Sequence, residues 1–113
     1  MTIASFEVST YDVRLARQLD THVDGNLVRF HAAITCRGAG HTLMIYFLTE
    51  SSFVPNNAFY ANQKRGTIYL PRGQYQWYVD LLRNERPVYC FLNSSYPNQN
   101  SIYTGVEPVG EEE

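Results

Sequence analysis

Cysteine is nearly absent. The two residues, Cys36 and Cys90, form no CxxC pair and no cysteine–histidine cluster, so no structural zinc site is expected. Each sits in an apolar, strand-like run, where a free thiol behaves as a small hydrophobe. Their spacing leaves open whether they meet. Charge is also thin. Asp, Glu, Lys and Arg make up 18% of the 113 residues, the net charge is −2 and the isoelectric point is near 5.9. A bulk electrostatic pull toward nucleic acid or an anionic membrane is therefore not expected. No apolar run approaches the roughly 18 residues of a membrane span. The first residues, MTIASFEV, lack the basic and apolar regions of a secretion signal. The expected location is the cytoplasm. A phosphate-cradling loop is missing too, since Gly38-x-Gly40 has neither a third glycine nor a following helix. No serine or cysteine lies in a nucleophile elbow. No cofactor, metal or catalytic residue is assigned.

What the chain has in quantity is aromatic side chains: nine Tyr, six Phe and one Trp. Tyrosine pairs an apolar ring with a polar tip and suits half-buried sheet faces and contact surfaces. The length fits one domain, placed over residues 1–108, with a short acidic tail over 109–113.

Ile3 to Leu15 alternates, but its phase changes near Ser9-Thr10, which predicts one bent strand or two short ones. Ala16 to Asn26 is polar and ends in an Asp-Gly-Asn turn; Arg17-Gln18-Leu19 either extends the first strand or begins a loop. Leu27 to Cys36 alternates cleanly, with Val28, Phe30, Ala32, Ile34 and Cys36 predicted on one face. Gly38-Ala39-Gly40 reads as a hairpin loop into Thr42–Thr49, a strand apolar on both sides and so predicted to be central. Residues 50–66 are rich in turn residues, with a possible hairpin of 58–62 against 67–70.

The segment Thr67–Leu92 carries the strongest fold signal. A strand leads into Pro71, which suits a helix start. Tyr75, Tyr78, Val79 and Leu82 then recur at helical spacing. Pro87 ends the helix, placed over about 71–84, and two strands follow as a C-terminal hairpin. The expected class is α+β: a mainly antiparallel sheet with one helix packed on one face.

Thr42–Thr49 and Val88–Leu92 are both apolar on two sides and need covers on both faces, and one helix supplies one. A second copy or the long loops must supply the other. The leading expectation is a non-enzymatic interaction or accessory module that binds a protein partner or itself. Its candidate interface residues are Tyr46, Phe59, Tyr60 and Tyr103. The alternative is a ligand or single-stranded nucleic-acid binder using Arg29, His31, Arg37 and His41, with the acidic pI against nucleic acid. Tyr60, Lys64, Arg65, Tyr69 and Arg72 interleave rings and cations in the same sense. A third expectation is a small enzyme using His31 or His41.

Overall fold

The computed structural model describes residues 1–106. The acidic tail predicted over 109–113 lies outside them. Eight strands and one helix follow in order: β1 (Ile3–Glu7), β2 (Thr10–Val23), β3 (Asn26–Gly38), β4 (His41–Leu48), β5 (Ala58–Tyr60), β6 (Arg65–Pro71), α1 (Tyr75–Asn84), β7 (Val88–Asn93) and β8 (Ser101–Thr104). The class is α+β, mostly antiparallel, with one helix and the β7–β8 hairpin at the C-terminal end.

The strands form two sheets, ordered β1-β7-β8 and β2-β3-β4-β6-β5. The phase change near Ser9-Thr10 marks where the chain leaves one sheet for the other. β1 pairs with β7, and β2 pairs with β3. Gly38 closes this corner, because a side chain there would collide with the Glu7 carbonyl. Within the larger sheet, β5 runs antiparallel to β6, and β6 lies parallel to β4. Sequential antiparallel pairing therefore fails at one place, where β6 fills the slot between β4 and β5.

The main core lies between the two sheets and the helix. Ile34, Cys36, Leu43, Ile45 and Phe47 from the large sheet meet Phe6, Cys90 and Leu92 from the small one and Val79 and Leu82 from α1. Fully burying a side chain of this size stabilises the fold by about 1.5–3 kcal/mol. Pro71 itself is extended, and a single 3-10 turn, Arg72–Gln74, leads into α1.

β-Bulges decide one expectation and correct another. Arg17-Gln18-Leu19 extends the strand: β2 continues to Val23 with a register shift between Leu15 and Leu19. β3 also breaks phase, since Phe30 pairs with Leu48 while Ala32 pairs with Phe47, leaving His31 as the extra residue. The predicted single face is thereby split. Ala32, Ile34 and Cys36 enter the main core, whereas Val28 and Phe30 join a second cluster with Ala33, Leu48 and Tyr69 on the outer face. The paired bulges bend the far half of the β2–β3 hairpin over that outer face, where Leu19 and Val23 pack against the second cluster. The second cover of the central strand is thus supplied by the chain's own hairpin. The tip turns on Asp24 and Gly25, both with positive φ (50° and 82°), as a two-residue hairpin requires.

Candidate binding surfaces

The bent hairpin creates a cleft of about 320 Å³. Its tip, including His22 and Asp24, is one wall, and Tyr46, Tyr60, Arg65 and Tyr69 from the outer face form the other side. The Tyr46 and Tyr69 rings are stacked at 5.2 Å, and Phe30 meets Tyr46 edge-on at 5.0 Å. The Arg65 guanidinium lies 5.4 Å from the centre of the Tyr60 ring. Among the described residues, Arg65 makes no ion pair. Burial pushes the Tyr46 phenol above the ordinary tyrosine range, with Arg65 partly opposing it. Burial does the same to Tyr69, against a hydrogen bond from Thr67. At neutral pH the cleft therefore offers neutral phenol groups, with the Arg65 cation on one side and the Asp24 carboxylate on the other; the Arg65 side suits a carboxylate or phosphate attached to a flat group.

The four residues expected to share one polar face do not share it. The bulge at His31 puts Arg29 and Arg37 on opposite faces of the sheet. Arg29 approaches Asp20 at 3.8 Å, and Arg37 donates to Asp12 at 2.6 Å. Both pairs are about half exposed, and such pairs contribute little. His31 sits at the bulge with Nδ1 2.7 Å from the Arg17 carbonyl. A carbonyl only accepts, so Nδ1 carries the proton, and the ring ties one bulge to the other. His41 stacks on Phe6 at 5.5 Å beyond the next turn.

The aromatic candidates also separate. Tyr46 is half-buried inside the cleft and Tyr60 is exposed at its rim. Phe59 is buried in the main core. Tyr103 is exposed on β8 and stacks on Tyr89 at 5.3 Å. Cys36 and Cys90 meet in the core. The Cys36 thiol, by hydrogen bonding, and then burial push the Cys90 thiol far up. Among the described residues, no group of three or more His, Cys, Asp or Glu is placed to hold a metal, and no helix is long and apolar enough to cross a membrane.

A further surface had no counterpart in the sequence pattern. β2, 14 residues long, is the outermost strand of the large sheet. Its residues Tyr11, Val13 and Leu15 lie opposite Cys36, Ile34 and Ala32, on the core-facing side. Yet Val13 is 37% exposed and Leu15 65%. Beside Leu15 a cleft of about 380 Å³ opens toward Phe47 and Tyr75. The inner face is thus uncovered along its β2 margin.

No protein-family model matches this chain, and no curated protein or solved structure matches it either.

Proposed function

We propose that the protein is a non-enzymatic interaction or accessory module that associates with itself. The observation that supports this best is β2, a long edge strand whose core-facing side chains are incompletely covered, Val13 partly and Leu15 mostly exposed. An exposed edge with apolar flanking residues is a template for pairing. The solution mass, measured by light scattering over a dilution series, tests the reading. It is expected to rise above the 13.0 kDa of one chain as concentration increases. A mass fixed at one chain throughout overturns it.

A second reading is favoured by Arg65, a cation without an ion-pair partner among the described residues, beside the phenols of Tyr46 and Tyr69. We infer that this cleft binds a small anion carrying a flat group. An aromatic carboxylate is expected to shift the NMR signals of these tyrosines, and Arg65→Ala to remove the response. Shifts that survive Arg65→Ala count against the cleft.

A further inference from the structure

We propose that the free edge of β2 pairs antiparallel with β2 of a second copy, in a register centred on Val13. The proposal rests on the self-association reading and says where and how it occurs. The regular part of the strand, Thr10 to Leu15, pairs with β3 without interruption. It is bounded by the sheet switch on one side and the bulge after Leu15 on the other.

Two copies that continue one sheet are related by a two-fold axis perpendicular to it. Residues opposite each other must then share a face, so the axis passes through a residue rather than between two. Centred on Asp12 or on Arg14, the pairing sets like charges against each other. Centred on Leu15, it runs into the bulge. Centred on Tyr11, it leaves Val13 opposite Ser9, where the chain has already turned away. Centred on Val13, every position is matched. Val13 meets Val13 of the second copy, and Tyr11 meets Leu15, both on the core-facing side. Asp12 meets Arg14 on the outer side, and two-fold symmetry makes each unlike pair occur twice.

Asp12 and Arg14 lie opposite Thr35 and Ala33, so both point to the outer face, as this register requires. Arg14 is exposed and has no ion-pair partner among the described residues. Asp12 already holds Arg37, but a carboxylate has capacity for a second guanidinium. Charges along an edge ordinarily discourage pairing. Here they are spaced so that only one register is complementary, and they select that register over the others.

Engineered cross-linking tests the register. Val13→Cys places two thiols directly opposite across the axis, within reach of a disulfide. Mild oxidation is expected to give a covalent dimer on a non-reducing gel. Thr10→Cys, on the same strand, leaves its two thiols about 20 Å apart and is expected to stay monomeric on that gel. The native cysteines are buried and do not compete. Arg14→Asp is expected to weaken dimerisation about tenfold. The double exchange Asp12→Arg with Arg14→Asp restores complementarity across the axis but sets an arginine beside Arg37, and partial recovery is expected. Circular dichroism establishes that each variant is folded.

A native dimer that Val13→Cys does not trap, and that Arg14→Asp leaves unchanged, overturns the β2 register while self-association stands. A native chain that is monomeric at every concentration overturns both.

Discussion

Asn100 does more for this fold than its place in a turn-rich stretch suggests. Its side-chain oxygen accepts from the Asn93 backbone N–H at 2.9 Å, and its nitrogen donates to the carbonyls of Ala58 at 2.9 Å and Thr67 at 3.2 Å. One buried amide thereby joins the small sheet to the β5–β6 edge of the large one. Asn100→Ala leaves three buried backbone groups without that partner, and stability is expected to fall by about 2–3 kcal/mol. The urea midpoint should move accordingly, and an unchanged midpoint contradicts the role. None of this was legible in NSSYPNQN, where Asn100 reads as one more turn residue. Its partners lie up to 42 positions away. A second expectation concerns tyrosine. Burial raises the phenol pKa of Tyr46, Tyr69 and Tyr78 in the folded state. Above pH 10 the unfolded chain then holds fewer protons than the native one, so stability is complete below that pH and declines above it. Absorbance at alkaline pH should show these three ionising after the more exposed tyrosines. A single common transition in the folded protein contradicts the assignment.

At the scale of elements, the helix and its proline boundaries were legible, because a 3.6-residue stripe and two prolines need only local information. A break at Ser9-Thr10 was legible for a similar reason, since the alternation itself changes phase, but that the chain changes sheets there was not. The two bulges were not. Around His31 the residues on either side are all tolerable on either face, and Ala32-Ala33 disguises the slip as unbroken alternation. Both alanines are buried, one in each cluster. Missing that bulge had a direct cost at the candidate site, because it grouped Arg29 with Arg37 across a sheet that separates them. The cleft that does form draws His22 from the polar segment before the Asp-Gly-Asn turn and Tyr46, Tyr60, Arg65 and Tyr69 from three strands. Interleaved rings and cations at 60–72 gave the only sequence signal for it.

At the scale of the molecule, the question set by composition was what covers the second face of β4. The bent hairpin answers it, so the tyrosines need not be spent on an interface. Tyr46 serves the monomer, stacked on Tyr69 and met edge-on by Phe30. The unfinished surface is elsewhere, at the β2 edge. It arises because bending the far half of the hairpin over one face leaves the near half, Thr10 to Leu15, flat and unpaired on its outer side. We propose that self-association belongs to this one strand, and amide hydrogen exchange reads it strand by strand. Exchange should be followed at low and high protein concentration. Edge-facing amides within Thr10–Ala16 are expected to slow as concentration rises, while those of β8 do not change. Exchange in β2 that is independent of concentration, or slowing confined to another edge, contradicts it.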